Sequence, residues 1–178
     1  MTLTRTQLRS LVRDVPDYPR AGIGFRDITP VLASPEGFTT AVHGLAELAR
    51  AYRPDHVLAA EARGFLFGPA VAAELGAGFV LARKPGKLPL QTLSVAYELE
   101  YGEDRLEVHT DAIGPGNRVL VHDDLLATGG TAKALCELVE TAGGTVVACA
   151  FLIELGFLSG RERLSGYDVH ALLVDDEE

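Results

Sequence analysis

Two adjacent carboxylates and the glycine-containing loop after them are the residues best suited to chemistry in this 178-residue sequence. Asp123 and Asp124 follow an apolar run at 118–122, and a helical pattern begins after the loop Ala127, Thr128, Gly129, Gly130 and Thr131. Backbone N–H groups at a helix start lack helical acceptors and bind anions, and glycine lets an anion approach closely. The carboxylates would repel that anion but suit hydroxyls or a metal beside it. The pattern therefore predicts a site for a ribose 5-phosphate.

A plain structural turn is the alternative, because junctions of strand, glycine loop and helix are common. However, two adjacent carboxylates at a strand end are unfavourable unless something neutralises them or donates hydrogen bonds to them. This pair favours the functional interpretation. The loop has neither the GxxxxGK[ST] nor the GxGxxG spacing of two other phosphate-binding loops.

Positive charges follow two other predicted strands. Arg63 lies in the loop after the strand at 56–60 and precedes a helix, which indicates a second anion site. The loop after the strand at 78–82 carries Arg83, Lys84 and Lys87. Ligands of α/β proteins gather where parallel strands end, so this basic loop favours a polyphosphate. Solvated loop charges are the alternative for both loops.

The hydrophobic pattern places these loops in an α/β fold. Strands are predicted at 56–60, 78–82, 118–122, 145–153 and 168–174, and helices at 4–13, 35–50, 69–75 and 131–141. Their alternation predicts one domain, residues 1–178, with a central, mostly parallel sheet flanked by helices. Because the binding loops all follow strands, they should meet at one edge of the sheet.

A change of period marks the segment between the basic loop and the acidic pair. Residues 92–110 alternate apolar and polar side chains around a turn at Gly102, as in a β-hairpin with one apolar face. A hairpin inserted between two binding strands is a candidate lid, here residues 85–110, that excludes water from the reaction. A purely structural hairpin is the alternative.

Composition and charge narrow the function further. A net charge of −9 and a pI near 5.0 argue against non-specific binding to nucleic acid or anionic membranes. Cys136 and Cys149 are predicted to be buried and reduced, and His122 to be a core histidine. Neither a signal peptide nor a membrane-spanning run is visible, which favours the cytoplasm. The acidic residues 175–178 are predicted to form a disordered tail.

Three of these segments resemble the type I phosphoribosyltransferases. DDLLATGGTA, residues 123–132, resembles the family's phosphoribosyl pyrophosphate (PRPP) signature, in the version of its adenine-specific members. EARGF and RKPGKLP, beginning at Glu61 and Arg83, are similar to its two pyrophosphate loops. The resemblance implies that residues 127–131 bind the 5-phosphate and that Asp123 and Asp124 bind the ribose. It also implies a set of pyrophosphate ligands, Arg63, Arg83, Lys84 and Lys87.

Three more segments resemble the adenine-specific members. PDYPRAGIGFRDITPVL resembles their N-terminal hood, here residues 1–34, and implies adenine contacts by Gly24, Phe25 and Arg26. The residues alone favour a surface ion pair of Arg26 with Asp27. ELGFLSGRERL implies that Leu155 packs on the base, and LEYG implies a catalytic pair, Glu100 and Tyr101. Two positions depart from the family: Gly24 replaces a larger aliphatic residue, and Gly156-Phe157 replaces a polar pair.

The resemblance, which covers residues 15–165, implies a purine-salvage reaction. The 5-phosphoribosyl group of PRPP is transferred to adenine, giving AMP and pyrophosphate. It also implies Mg²⁺ held mainly through PRPP rather than by a protein metal site, and a homodimer. The alternatives are a phosphoribosyltransferase for another purine or a pyrimidine, and a PRPP-binding regulator without catalysis. Such a regulator should carry a basic face or a DNA-binding segment, and neither is visible in the sequence.

Overall fold

The computed structural model describes residues 2–98 and 103–177. Within them the strands are β1 (Arg13–Val15), β2 (Phe25–Asp27), β3 (His56–Ala60), β4 (Gly78–Ala82), β5 (Thr92–Glu98), β6 (Glu103–His109), β7 (Arg118–Leu126), β8 (Thr145–Leu155) and β9 (Val169–Asp175). The α-helices are α1 (Arg5–Ser10), α2 (Thr29–Ala33), α3 (Pro35–Arg50), α4 (Gly68–Leu75) and α5 (Gly130–Thr141). Short 3₁₀ turns lie at Arg63–Phe65, Gly156–Leu158 and Gly160–Leu164.

A five-stranded parallel sheet organises the fold, in the order β4-β3-β7-β8-β9. This sheet confirms the predicted one. The carboxyl ends of its strands lie at one edge, as expected if the loops that follow them form one site. β7 and β8 are longer than predicted. β7 continues through the acidic pair to Leu126, because Leu125 and Leu126 still pair with Ile153 and Glu154 of β8.

Both faces of the sheet are buried, as near-continuous apolar strands predict. Leu120 of β7 joins a core cluster with Leu45 of α3 and Phe67. The next residue, Val121, joins the opposite cluster with Leu135 of α5 and Phe151. Successive strand residues therefore enter two separate cores.

The helix starts follow the predicted capping chemistry. The Ser34 hydroxyl accepts a hydrogen bond from the Gly37 N–H at 3.0 Å, and Pro35 takes the first position of α3. α1 is shorter than predicted: it begins after the Thr4 cap and stops at Ser10. The chain then enters β1, which pairs antiparallel with β2. None of β1, β2 and α2 was predicted.

The predicted hairpin is present as β5 and β6. Tyr97 stands opposite Asp104, and Leu106 and Val108 are buried against the second core cluster. The backbone of Glu107 exchanges two hydrogen bonds, 2.8 and 2.9 Å, with Arg83 after β4. The sheet edge and the hairpin are thus joined where the basic loop begins, while the turn at 99–102 lies outside the described residues.

The C-terminal prediction was wrong at Asp175. This residue ends β9, and its side chain is largely buried against two arginines, so Asp175 belongs to the folded structure. Burial of Cys136 and Cys149 is confirmed; their sulfurs lie 3.6 Å apart, at hydrogen-bond distance, and form no disulfide. Across 2–98 and 103–177, helices with the length and apolar character to cross a membrane are absent.

Candidate active site

The acidic pair lies at the carboxyl end of β7, on one wall of a cleft of about 780 Å³. The cleft is lined by Ala60, Glu61, Ala62, Arg63, Lys84, Tyr97, Asp104, Leu106, Asp123, Asp124, Leu125 and Thr131. Asp124 is only 3% exposed and accepts a 2.7 Å hydrogen bond from Arg63 Nε. Asp123 accepts from the Asp124 N–H at 2.9 Å. Burial and the neighbouring Asp124 charge raise the pKa of Asp123 well above its usual value.

The phosphate loop forms the adjoining pocket, about 310 Å³, which is lined by residues 123 and 125–132. Gly129 precedes α5 with φ +82°, and the first helical hydrogen bond joins the Lys133 N–H to the Gly129 carbonyl at 2.9 Å. The N–H groups between them have no acceptor within the helix. The pocket can therefore hold an anion through backbone donors at a positive helix end.

Each of three predicted pyrophosphate cations is paired with an acidic residue. Arg63 contacts Asp124, Arg83 Nε donates to Glu61 at 2.5 Å, and Lys84 contacts Asp104. Lys84 also reaches the Tyr97 hydroxyl at 3.1 Å. The fourth cation, Lys87, is exposed, and neither it nor Arg83 is among the residues that line the cleft.

These pairs set the charge states of the cleft. Burial opposes ionisation of Glu61 and Asp104, but their contacts with Arg83 and Lys84 lower the pKa of both carboxyls. Burial likewise opposes the charge on Lys84, and its bonds to Asp104 and Tyr97 raise the pKa of its ammonium. The cleft therefore carries compensated charges, and an anionic ligand would compete with these carboxylates for the three cations.

Comparison with known proteins identifies the family. The protein-family model described as "Phosphoribosyl transferase domain" matches residues 31–176 of the sequence. The chain is 61% identical to the adenine phosphoribosyltransferase of Rubrobacter xylanophilus over 167 residues, 93% of this chain and 90% of the relative. This chain belongs to the adenine phosphoribosyltransferase family.

Solved structures of adenine phosphoribosyltransferases share the fold. The Thermoanaerobacter pseudethanolicus protein superposes with a TM-score of 0.94 at 50% identity, covering 97% of this chain and 100% of that one. The Saccharomyces cerevisiae protein, complexed with an imino-altritol bisphosphate and adenine, has a TM-score of 0.90 at 39% identity. That match covers 95% of this chain and 98% of the yeast chain.

The predicted adenine contacts of this phosphoribosyltransferase lie on two elements beside the cleft. Phe25 of β2 lies under Arg63, whose guanidinium carbon is 5.1 Å from the ring centroid. Gly24 precedes Phe25, whereas the buried Arg26 guanidinium donates to Asp175 at 2.7 Å. Arg26 thus makes an ion pair, as the residues alone favoured, but with a distant partner and below the surface. Its contact with adenine stays a prediction.

The remaining predicted site residues fall into two groups. Leu155 ends β8 and is buried at the same edge of the sheet as the cleft. Glu100 and Tyr101 lie outside the described residues, so their catalytic role in this phosphoribosyltransferase stays a prediction.

Sequence reasoning missed Glu61, Tyr97 and Asp104 as cleft residues. Glu61 stands within the segment that carries Arg63. Tyr97 and Asp104 lie opposite each other in the hairpin register, at equal distances from its turn. The hairpin register could have predicted that Tyr97 and Asp104 lie together, because residues paired across a hairpin share a face.

His122, directly before the acidic pair, is a core histidine as predicted. Its ring is fully buried, and Nδ1 lies 2.9 Å from the Ala150 carbonyl oxygen. Burial lowers the pKa of His122, although the bond to Ala150 and the Asp124 charge oppose this shift. The neutral imidazole is therefore the folded form, and His122 is a structural residue at the base of the site.

We expect His122 to make stability depend on pH below about 6.5, the ordinary histidine pKa. Its folded pKa is lower than its unfolded pKa, so the unfolded chain takes up the proton first. Stability is then lost as pH falls from about 6.5 towards the folded pKa, by at most about 1.4 kcal/mol per pH unit. Urea unfolding of His122→Val between pH 7.5 and 5.5 should lack this slope.

His43→Gln is the matched control, because His43 is an exposed histidine on α3. Its Nδ1 lies 2.7 Å from Glu74 Oε1, a pair that protonation strengthens, so this variant should lose stability at low pH at least as steeply as wild type. An equal slope in wild type and His122→Val would contradict the assignment.

Proposed function

We propose that this protein transfers the 5-phosphoribosyl group of PRPP to N9 of adenine, releasing AMP and pyrophosphate in purine salvage. One observation carries the proposal: a single cleft holds the acidic pair, Thr131 at the end of the phosphate loop, Arg63 and Lys84. These groups match the hydroxyls, the phosphate and the pyrophosphate of one substrate. Family membership supports the same reaction.

The chemistry assigns each group a role. The C1–O bond breaks early, which leaves positive charge on the ribose ring and negative charge on pyrophosphate. Asp123 and Asp124 hold the ribose hydroxyls and stabilise the cationic ring, while the 127–131 loop holds the 5-phosphate. Arg63, Arg83, Lys84 and Lys87 bind the leaving pyrophosphate. PRPP thereby replaces Asp124, Glu61 and Asp104 as the partner of three of these cations.

The donor set of the cleft fits a Mg²⁺ carried by the substrate. Mg²⁺ is usually held by phosphates, waters and one or two carboxylates. Asp123 and Asp124, which line the cleft, are such carboxylates. Bound with PRPP, Mg²⁺ would neutralise part of the charge that develops on pyrophosphate.

For the base, we propose that Gly24, Phe25, Arg26 and Leu155 form the adenine pocket. The packing of Phe25 against Arg63 supports this, because it brings the hood segment to the edge of the PRPP cleft. Glu100 accepts the proton that adenine loses from its ring nitrogen, and Tyr101 orients the hairpin or the leaving group. The segments 1–34 and 85–110 then act as hood and lid.

Replacing Glu100 with glutamine is expected to lower kcat about a hundredfold, because a positioned proton acceptor contributes at least that much. Initial rates of AMP formation at saturating PRPP and adenine measure it. Glu36→Gln is the control, since Glu36 is exposed at the start of α3. Unchanged turnover in Glu100→Gln would rule out the proton-transfer role.

A scan of bases tests the function itself. Purified protein with PRPP and Mg²⁺ is offered adenine, hypoxanthine, guanine, xanthine, orotate and uracil, and nucleotide and pyrophosphate are quantified. We expect AMP from adenine and little product from the others. Preference for another base would support a different phosphoribosyltransferase, and PRPP binding without pyrophosphate release would support a regulator.

We further propose a cytoplasmic homodimer. The choice of the cytoplasm follows from the sequence, in which neither a signal peptide nor a membrane-spanning run is visible. The exposed apolar residues Leu66 and Leu81, the latter on edge strand β4, support a surface covered by a second copy. Light scattering coupled to size exclusion measures the mass in solution, and a monomer at micromolar concentration would contradict the dimer.

A further inference from the structure

The last residue of the sheet, Asp175, joins the two elements that carry the predicted adenine contacts. It ends β9, and in the parallel ladder it pairs directly with Leu155 at the end of β8. Its carboxylate accepts a 2.7 Å hydrogen bond from Arg26 Nε on β2. One residue thus touches the hood strand through its side chain and the Leu155 strand through its backbone register.

A second arginine completes the contacts of the Asp175 carboxylate. Arg9 of α1 donates from Nε at 2.8 Å to one carboxylate oxygen and from Nη2 at 2.9 Å to the other. The side chains of Asp175 and Arg26 are only 9% and 7% exposed. Asp14, which is 55% exposed, also lies 2.9 Å from Arg9 Nη2 and 3.3 Å from Arg26 Nε, so Asp175 is the buried member of two carboxylates that these arginines share. Removing the Asp175 charge leaves the buried Arg26 guanidinium with only the longer, more exposed contact, which is unfavourable.

The turn after Leu155 is held against the same residue. A Cβ on Gly156 would lie 2.6 Å from Asp176 Oδ1 and 3.5 Å from the Asp175 carbonyl oxygen. Glycine at this position allows the turn to lie directly on the end of β9. The turn after Leu155 is therefore packed against residues 175 and 176.

We propose that Asp175 is a positioning residue for adenine, which sets the distance between the hood strand β2 and Leu155. The proposal rests on the adenine-binding function proposed above. Asp175 acts through Arg26 and through the β8 end and touches neither PRPP nor the reacting atoms. Its loss should weaken adenine binding while the PRPP cleft, formed by β3, β4 and β7, keeps its geometry.

Asp175→Asn tests the inference, because asparagine keeps the shape and removes the buried charge that both arginines share, while the exposed Asp14 carboxylate remains. We expect KM for adenine to rise about tenfold, the loss of one charged hydrogen bond. KM for PRPP and kcat should stay within about twofold. Asp175→Glu, which keeps the charge, should recover part of the adenine affinity.

Two controls separate positioning from general destabilisation. Val139→Ala removes core volume in α5, away from β9, and should lower the melting temperature without a selective change in the adenine KM. Glu47→Gln removes an exposed carboxylate that pairs with Arg50 at 2.6 Å and should change neither constant. Adenine and PRPP constants that shift together in Asp175→Asn would overturn the proposal.

Arg9→Gln provides a second variant if Asp175→Asn folds poorly. It removes one partner of Asp175 and no predicted base contact, so the adenine KM should rise selectively, by about threefold. If the wild type forms AMP and a folded variant has an unchanged KM for adenine, the positioning role of Asp175 is overturned and the proposed function is not. A wild type that forms no AMP would overturn the proposed function as well.

Discussion

Gly129→Ala is expected to lower kcat/KM for PRPP by more than about a hundredfold, since misplacing a bound group by about 1 Å is enough for such a loss. Gly129 has φ +82°, and an added Cβ would lie 2.5 Å from the Gly160 carbonyl oxygen. The clash is with a backbone atom of the Gly160–Leu164 turn. Relieving it requires the backbone of the loop or of the turn to move, and this displaces the N–H groups at the start of α5. Steady-state kinetics with varied PRPP measure the effect.

Gly116→Ala is the matched control for the backbone strain. Gly116 has φ +86°, and no heavy atom would lie within 4 Å of its added Cβ. The substitution carries the same left-handed strain, about 1–2 kcal/mol, without the clash. It should lower the melting temperature and leave the PRPP kinetics unchanged. Wild-type PRPP kinetics in Gly129→Ala would mean that the 5-phosphate binds elsewhere.

The site elements that could be predicted are those whose chemistry is local. The phosphate loop needs only a strand, two glycines and a helix start, all within about fifteen residues of sequence. The strands β3 and β4 have the predicted bounds because short apolar runs between turn residues leave little choice of register. Local sequence patterns were therefore sufficient to predict both the edge of the sheet and the phosphate loop that lies there.

What could not be predicted depends on contacts between distant residues. Arg63 and Asp124 are 61 residues apart, and Arg26 and Asp175 are 149 apart. Strand β1 has three residues and exists through its pairing with β2, which no local periodicity encodes. Distant contacts also explain why the predicted disordered tail was wrong at Asp175. Four consecutive acidic residues indicate a solvated tail, and the sequence does not show that Arg9 and Arg26 bind Asp175.

The acidic pair illustrates a conflict between stability and function. Asp123→Asn is expected to increase the free energy of unfolding at pH 7 by about 1 kcal/mol and to lower kcat at least about a hundredfold. The folded pKa of Asp123 lies above its unfolded value through burial and the charge of Asp124. Ionisation therefore opposes folding as pH rises from about 3.9 through the folded pKa, and asparagine removes that penalty.

Asp111→Asn controls for the change in net charge, because Asp111 is exposed and lies outside the cleft. It should alter neither stability nor turnover. Urea unfolding across pH 4 to 8, with AMP formation measured on the same samples, gives both quantities. A destabilised Asp123→Asn would mean that the charged carboxylate supports the fold, and normal turnover would mean that it does not stabilise the cationic ribose. We therefore expect Asp123→Asn to raise the free energy of unfolding and to lower kcat, because the Asp123 carboxylate serves the reaction and destabilises the fold.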